Sequence, residues 1–232
     1  MTRHIETRVI HDFLSEEDYA YYRKKLLYDM NDAEEQEMLG EKPLLWRTSK
    51  IVSDKDWHED EVNTRDNFQM VSQFLLEENR DSINLQPFLE AINPLFFARI
   101  KANITFRGDK ILEHGMHVDV GHRDRNIAPD QDYLAHIPIA TGVYILDTCD
   151  GYTAFEDGTK IPSVGNTYIE FDRTMKHTGT NTTNQNKRCV INFNYIPKPR
   201  FPGAGEDVFR FPCDPLADLG FDPAFSSGLL GE

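Results

Sequence analysis

Residues 142–158 read Gly-Val-Tyr-Ile-Leu-Asp-Thr-Cys-Asp-Gly-Tyr-Thr-Ala-Phe-Glu-Asp-Gly. An apolar segment at 142–146 is followed by two acidic glycine turns, at Gly151 and Gly158. Short apolar segments bounded by such turns are typical of β-strands, because glycine and aspartate favour the tight turns between strands. The stretch therefore predicts antiparallel β-structure in the middle of the chain.

The sequence on either side of this stretch repeats the pattern. Further candidate strands lie at 99–106, 115–120, 166–171 and 189–195. Clusters of Gly, Asn and Asp separate them. Strands at this pitch, joined by turns of this composition, predict an antiparallel sandwich or barrel.

The chain divides into three regions by composition. Residues 1–95 are predicted to be a mostly helical support region, with helices that begin near Glu16, cover 68–75 and cover 85–92. Residues 96–197 form the strand-rich core, and the proline-rich residues 198–232 are predicted to be an irregular tail. We expect one domain from 1 to 232, since this length is usual for a single domain.

Charge and composition exclude several classes of function. The formal net charge of −14 repels phosphate backbones and weighs against a nucleic-acid partner. No apolar run is long enough to span a bilayer, and the charged N-terminus does not resemble a signal peptide. Three cysteines without a CxxC pair do not form a disulfide framework. We therefore expect a cytoplasmic protein without a membrane partner.

Four histidines lie close together at 114, 117, 122 and 136. His117 and Asp119 are predicted to lie on one face of a strand, because side chains at i and i+2 point to the same side. His122 and Asp124 offer a second pair of this kind in a charged stretch that reads as a loop, whereas the residues around His117 alternate as in a one-sided strand. His114 and His136 are interpreted as structural residues or as residues that support the ligands.

A third metal ligand has to come from elsewhere, and His177 follows the predicted strand at 166–171. Two histidines and one carboxylate leave coordination positions open, which suits Fe(II). Arg188 begins the strand at 189–195, where its planar guanidinium would match a carboxylate through two hydrogen bonds.

These residues, with the turn motif between them, resemble the Fe(II)/2-oxoglutarate-dependent dioxygenase superfamily, and its prolyl-hydroxylase-like branch in particular. The matching stretch covers about 99–195, and its motifs occur in the family's order: His117-Val-Asp119, Asp150-Gly-Tyr-Thr-Ala-Phe, Gly165-Asn-Thr-Tyr-Ile-Glu-Phe-Asp, His177 and Arg188. The resemblance implies a mainly β fold with flanking helices (α+β), the double-stranded β-helix or jelly roll.

The resemblance also implies roles for individual residues. His117, Asp119 and His177 would bind Fe(II) as the catalytic centre, and Arg188 would bind the distal carboxylate of 2-oxoglutarate. Further contacts to this cosubstrate are expected from one or more residues on neighbouring strands: Asn103, Thr105 and Tyr144. The chain departs from the family pattern at Asp150, which replaces a glycine, at Thr105, which replaces a tyrosine, and at Val190, which replaces a serine.

The implied activity is hydroxylation of an unactivated C–H bond by Fe(II), 2-oxoglutarate and O2, with release of succinate and CO2. The expected substrate is a protein or peptide residue such as proline, and a free amino acid or another small molecule is the alternative. A second alternative is a non-catalytic, metal-binding jelly-roll module, because one fold serves many functions.

Overall fold

The structure is a computed structural model that describes residues 5–28, 42–50, 68–120 and 137–198. The described residues up to Lys198 belong to one compact unit. Apart from Lys198, the predicted tail at 198–232 lies outside the described residues, as do His136 and the second histidine–aspartate pair, His122 and Asp124.

A seven-stranded antiparallel sheet, the major sheet, forms the body of the fold. Its strands lie in the order β1-β8-β5-β10-β4-β3-β2. Their bounds are β1 Arg8–Ile10, β2 Arg47–Lys50, β3 Phe68–Gln73, β4 Pro94–Phe106, β5 Ala140–Ile145, β8 Thr167–Asp172 and β10 Lys187–Pro197. The two longest strands, β4 and β10, pair along their whole length at the centre of the sheet.

A three-stranded minor sheet, in the order β7-β6-β9, faces the major sheet. It consists of β6 Tyr152–Phe155, β7 Lys160–Pro162 and β9 His177–Gly179. The chain passes from β5 in the major sheet to β6 and β7, returns to β8, crosses to β9 and returns to β10. This alternation between two antiparallel sheets is the jelly roll, so the predicted fold class is confirmed.

Helices cover the outer face of the major sheet. Helix α1 spans Glu16–Arg23 and continues as a π-helical turn over Lys24–Tyr28, a 3₁₀ turn spans Glu77–Asn79, and helix α2 spans Gln86–Ile92. The side chain of Ser15 accepts a hydrogen bond from the backbone N–H of Asp18, which is the predicted cap of α1. Tyr22 and Phe88 are fully buried between these helices and the sheet.

The two faces of the major sheet carry separate apolar clusters. On β10, Ile191 and Phe193 belong to the cluster beneath the helices, whereas Val190 belongs to a second cluster with Phe155 of the minor sheet. Since successive side chains of a strand point to opposite faces, Arg188 and Asn192 share the face of Val190. This inner face, between the two sheets, is where the candidate site lies.

Two predicted elements are corrected by the structure. Residues 68–75 were predicted as a helix, but Phe68–Gln73 is strand β3, which pairs with β2 on one side and β4 on the other. Sheet pairing prevails here because apolar spacing in so short a segment fits either structure. Residues 1–95 therefore contribute three strands to the major sheet, β1, β2 and β3, and the start of β4, besides the helices.

The predicted strand at 115–120 is also wrong. Within it only His117 makes a bridge, to His177 of β9, so the segment touches the minor sheet at a single position. The predicted strands at 99–106, 142–146, 166–171 and 189–195 are confirmed, with ends that agree within two residues or as parts of longer strands. Among the helices in the described ranges, none is both long and apolar enough to cross a membrane.

Candidate metal centre

His117 and His177 are joined through their backbones. The N–H of each donates to the carbonyl oxygen of the other, both at 3.0 Å. Such a mutual pair in an antiparallel bridge places the two side chains next to each other, and the ring centroids lie 4.9 Å apart. The main chain therefore brings together two histidines that are 60 positions apart in the sequence.

Both imidazole rings are oriented by a second backbone contact. His117 Nδ1 lies 2.9 Å from the carbonyl oxygen of Gly115, and His177 Nδ1 lies 3.2 Å from that of Met175. A carbonyl oxygen accepts only, so each Nδ1 carries the proton and each Nε2 keeps its lone pair. Burial also lowers the pKa of His177, although Asp119 opposes this shift, and the neutral ring is the form that binds a metal.

Asp119 completes the group. One candidate ligand atom from each of His117, Asp119 and His177 lies within 4.8 Å of the others. The oxygen Oδ1 of Asp119 is 3.8 Å from Nε2 of His117. Two imidazole nitrogens and one carboxylate oxygen at this separation are a donor set for a divalent transition metal, with coordination positions left open.

The buried polar atoms at this place fit a bound cation. Nε2 of His177 is inaccessible to solvent and has no hydrogen-bond partner among the described residues. An unsatisfied buried nitrogen with a free lone pair is costly in a folded protein. A metal ion bound to this nitrogen would remove that cost, so the residues present are suited to hold one.

Arg99 and Asn192 support the carboxylate from the inner face of the major sheet. Nη2 of Arg99 lies 2.8 Å from Oδ1 of Asp119, as an ion pair rather than a well-directed hydrogen bond. Nδ2 of Asn192 donates to Oδ2 at 3.4 Å. Burial raises the pKa of Asp119, but the nearby positive groups, of which Arg99 contributes most, together outweigh burial and hold the pKa below its usual value.

Arg188 lies further along the same face of β10 and is almost completely buried. Its guanidinium donates to Ser163 Oγ at 2.7 Å, to Thr153 Oγ1 at 3.2 Å and to the carbonyl oxygen of Thr180 at 3.4 Å. All three partners are neutral. No carboxylate of the described residues lies within ion-pair distance of Arg188, and the nearby Asp147 acts on it only from further away.

The turn motif singled out in the sequence forms the walls around Arg188. A Cβ atom on Gly151 would lie 2.7 Å from Cδ of Arg188, and one on Gly179 would lie 3.2 Å from its Nη1. Thr153, two residues after Gly151, is one of the three hydrogen-bond acceptors. The motif therefore leaves room for the side chain of Arg188 at Gly151 and supplies a hydrogen-bond acceptor for its guanidinium at Thr153.

Asp150, which replaces a glycine of the family pattern, has a separate role. Its carboxylate accepts hydrogen bonds from the hydroxyls of Thr182 and Thr183 and from the backbone N–H of Thr183 and Asn184. These bonds hold the pKa of Asp150 well below its usual value. The residue shapes the turn that leads into β10 and does not reach the metal centre.

The remaining predicted contacts divide between the two faces. Asn103 and Thr105 lie opposite Val190 and Arg188 in the β4–β10 register, on the inner face, and the buried Oδ1 of Asn103 has no hydrogen-bond partner within the described ranges. Tyr144 lies on the outer face, where its hydroxyl donates to Asn166 at 2.9 Å and its ring packs against Phe88. The expectation that Tyr144 contacts a cosubstrate is wrong, because the strand turns its side chain towards the helices.

Sequence reasoning missed Arg99 and Asn192. Neither residue was among the predicted site residues. A signal was nevertheless available, since polar residues at 99, 101, 103 and 105 alternate with apolar residues at 100, 102 and 104. That pattern marks a strand with one polar face, and the structure brings Arg99 on this face to Asp119.

Comparison with known proteins gives matches to solved structures alone. No family model and no curated protein matches the sequence. A 2OG-Fe(II) oxygenase family oxidoreductase from Burkholderia pseudomallei is 15% identical, with a TM-score of 0.41 over 78% of this chain and 91% of that one. A collagen prolyl hydroxylase from Paramecium bursaria Chlorella virus 1 is 16% identical, with a TM-score of 0.40 over 82% and 90%.

A third similar structure is a prolyl hydroxylase from Trichoplax adhaerens in complex with a hypoxia-inducible factor peptide fragment. It is 11% identical, with a TM-score of 0.45 over 82% of this chain and 83% of that one. TM-scores below 0.5 at such identities support no inference about activity or substrate. The function of this chain is inferred from its own residues.

Proposed function

We propose that this protein is an Fe(II)- and 2-oxoglutarate-dependent dioxygenase that hydroxylates an unactivated C–H bond. The observation that carries the proposal is one juxtaposition on the inner face of the jelly roll. Three side chains that can bind a metal meet there, and a buried arginine with neutral partners lies on the face of β10 that also carries Asn192, a neighbour of Asp119.

His117, Asp119 and His177 would bind the metal through Nε2, a carboxylate oxygen and Nε2. The carbonyl oxygens of Gly115 and Met175 keep both rings in the required tautomer. Arg99 and Asn192 keep the carboxylate ionised and oriented. With three protein ligands, the ion would retain open positions for a 2-oxo acid and O2.

Arg188 would bind the distal carboxylate of 2-oxoglutarate. A buried guanidinium without an anionic partner is costly, and a carboxylate offers it the geometry for two charge-assisted hydrogen bonds. Arg188 and Asn192, which contacts Asp119, are four residues apart on β10, or roughly 13 Å between Cα atoms. Both side chains point to the inner face, where the guanidinium and the metal would bind opposite ends of one diacid.

When bound, Fe(II) with 2-oxoglutarate and O2 supplies the oxidising chemistry, from which succinate and CO2 are released. The chain contributes a dry environment. Phe171 packs edge-on against His177 with ring centroids 4.7 Å apart, and Val143, Ile145 and Val190 form the apolar cluster below. Such walls exclude water from the reacting groups.

Arg188 also separates this proposal from a non-catalytic metal-binding module. A module of that kind needs the three metal ligands but has no use for a buried cation without an anionic partner. The free thiols of Cys149 and Cys189 suit a reducing compartment, and we place the protein in the cytoplasm. We favour a protein or peptide residue such as proline as the substrate, with a free amino acid or other small molecule as the alternative.

An anaerobic titration tests the proposal directly. Fe(II) and 2-oxoglutarate added together are expected to produce the weak visible charge-transfer band of the chelate in the wild-type protein. Arg188→Ala should weaken 2-oxoglutarate binding at least tenfold while the metal affinity stays within about threefold, and Arg188→Lys should be intermediate. A wild-type protein that binds the metal but shows no band would refute the oxygenase and leave the binding module.

A second assay identifies the class of substrate. Peptides containing proline, and free amino acids, are compared for their stimulation of succinate release by the wild-type protein. His177→Ala is expected to abolish the stimulated release. Stimulation that persists in this variant would contradict the assigned metal centre.

A further inference from the structure

His114 is the one histidine of the described core that the metal centre leaves without a role. Its Nε2 is inaccessible to solvent and has no hydrogen-bond partner among the described residues. A buried ring nitrogen in that state costs free energy unless a ligand satisfies it. The residue therefore calls for an explanation beyond packing.

The backbone places His114 between the metal ligands and Arg188. Its N–H donates to the carbonyl oxygen of Gly179 at 3.2 Å, and a Cβ on Gly179 would lie 3.2 Å from Nη1 of Arg188. Three residues later, His117 bridges to His177, two positions before Gly179 in β9. The segment thus runs along β9 from the guanidinium to the metal centre.

The neighbouring side chain shows which way this segment faces. The carboxylate of Glu113 accepts hydrogen bonds from the hydroxyl of Tyr152 at 2.8 Å and from Nζ of Lys160 at 3.0 Å, on the exposed side of the minor sheet. Adjacent side chains in extended backbone point to opposite sides. With Glu113 turned outwards, His114 is turned to the inner face.

We propose that His114 donates a hydrogen bond from Nε2 to the carboxylate of 2-oxoglutarate that Arg188 binds. This inference rests on the proposed function and adds to it a second side chain that recognises the distal carboxylate. Val190, next after Arg188 on the inner face of β10, has no side-chain polar atom to offer, whereas the segment with His114 lies along β9 close to Arg188.

The charges around His114 agree with a neutral donor. Burial, and then the positive charges of Arg188 and His117, lower the pKa of His114 to about 4. Glu113 faces away from it towards Lys160, and no carboxylate contributes to this shift. A neutral ring facing a carboxylate donates one hydrogen bond and adds no further charge beside the guanidinium.

The test compares two variants and two ligands at equilibrium. His114→Leu removes the donor at similar volume, and His114→Gln keeps one. Binding of 2-oxoglutarate to the Mn(II)-loaded protein is measured by calorimetry, with 2-oxobutanoate, which lacks the distal carboxylate, as the second ligand. His11→Gln is the matched control, since the exposed His11 contacts Thr167 at the start of β8 and not the residues around Arg188.

For 2-oxoglutarate, His114→Leu is expected to raise Kd about tenfold and His114→Gln less than threefold. For 2-oxobutanoate, and for Mn(II) alone, Kd should be the same in all variants. A His114→Leu protein that binds 2-oxoglutarate like the wild type would overturn the inference, as would an equal loss for both ligands. Wild-type protein that binds no 2-oxo acid would instead overturn the proposed function.

A measurement on the unmodified protein covers the case in which His114→Leu does not fold. With labelled histidine, the Nε2–H signal of His114 should shift and become protected from exchange when 2-oxoglutarate is added to the Zn(II)-loaded protein. 2-Oxobutanoate should leave it unchanged. Identical spectra with both ligands would contradict the assignment.

Discussion

Arg99 and Asp119 form an ion pair of 2.8 Å in which the arginine comes from the major sheet and the aspartate from the segment beside β9. The carboxylate is nearly inaccessible, with 5% of its side chain exposed. An ionised carboxyl group in that position needs a compensating charge. Arg99 supplies this charge, and it also donates from Nε to Asn194 at 2.8 Å, which fixes its own position.

Replacing Arg99 is expected to change the pH dependence of metal binding. In Arg99→Gln, the largest of the charges that oppose burial is lost, so the pKa of Asp119 should rise towards its usual value. Protons then compete with the metal at higher pH, and the affinity should begin to fall earlier on acidification, about tenfold at pH 5. Mn(II) titrations from pH 8 to 5 measure this, with the exposed Arg80→Gln as control. If the affinity for Mn(II) fell at the same pH in Arg99→Gln as in the wild type, this would argue against the role of Arg99.

Removing one imidazole ligand is expected to abolish metal binding without unfolding the protein. His177→Ala should raise the Kd for Co(II) at least a hundredfold, because one of three protein ligands is lost. The backbone bonds between residues 117 and 177 do not involve the side chain, so the bridge should persist. Absorption of the bound Co(II) reports the coordination, and His11→Ala should bind as the wild type does. Comparable Co(II) spectra for both proteins would be inconsistent with the centre.

The turn motif around Gly151 should be sensitive to a single methyl group. In Gly151→Ala the new Cβ would lie 2.6 Å from the carbonyl oxygen of Asn181 and 2.7 Å from Cδ of Arg188. We expect a loss of about 2 kcal/mol in the free energy of unfolding and weaker 2-oxoglutarate binding. Urea unfolding and calorimetry measure the two effects.

Gly158→Ala is the control for this experiment. Its Cβ would meet nothing within 4 Å, but the backbone φ of 87° disfavours a side chain. Stability should fall by about 1 kcal/mol from this strain, with 2-oxoglutarate binding unchanged. Equal effects of both substitutions on binding would show that the space beside Arg188 is not what matters.

His114 should make the metal-free protein less stable in mild acid. Its pKa is about 4 in the folded state and about 6.5 in the unfolded chain. Between these values the unfolded chain binds more protons, so the free energy of unfolding falls as the pH drops from 6.5 to 4. In His114→Gln this part of the decrease, roughly 2 kcal/mol, should disappear. Denaturant unfolding at pH 7 and 4.5 gives the free energy of unfolding of the wild type and of His114→Gln. An equal decrease in both proteins would disprove the contribution of His114.

The cap of helix α1 offers a test remote from the site. Ser15→Ala removes the acceptor for the N–H of Asp18 and should lower the free energy of unfolding by about 1 kcal/mol. Ser15→Thr keeps a hydroxyl and should cost less. Neither variant should change the affinity for Mn(II), since α1 lies on the outer face of the major sheet. Thermal unfolding with a metal titration checks both expectations.

The strands of the core were predictable because the major sheet is buried on both faces. This burial determines which residue types occur at alternate positions along each strand. At 189–195 the outward residues are uniformly apolar, and this segment appears as part of the longest ladder. At 68–73 the pattern was ambiguous, since Gln69 and Ser72 are buried in a strand by pairing partners that come from other parts of the sequence. Local spacing carries no information about such partners.

The grouping of the three candidate metal ligands was predictable for a different reason. The residue types and their order suggested the group, but the contact of His117 with His177 depends on one long-range bridge. His117 and Asp119 do lie close together, as predicted, but the segment 115–120 that was expected to bring them together as a strand is not one. Tyr144 failed as a cosubstrate contact because a shift of one residue along a strand exchanges its two faces.

The setting of Arg188 links ligand occupancy to the integrity of the sandwich. Its guanidinium is hydrogen-bonded to β6 through Thr153, to the loop before β8 through Ser163 and to the residue after β9 through Thr180, so one side chain from the major sheet spans to the minor one. 2-Oxoglutarate bound to the guanidinium would compensate its buried positive charge and so stabilise this connection between the two sheets. The protein without 2-oxoglutarate would then be less stable and more readily cleaved by proteases. The concentration of 2-oxoglutarate would affect how long the protein survives as well as how fast it turns over.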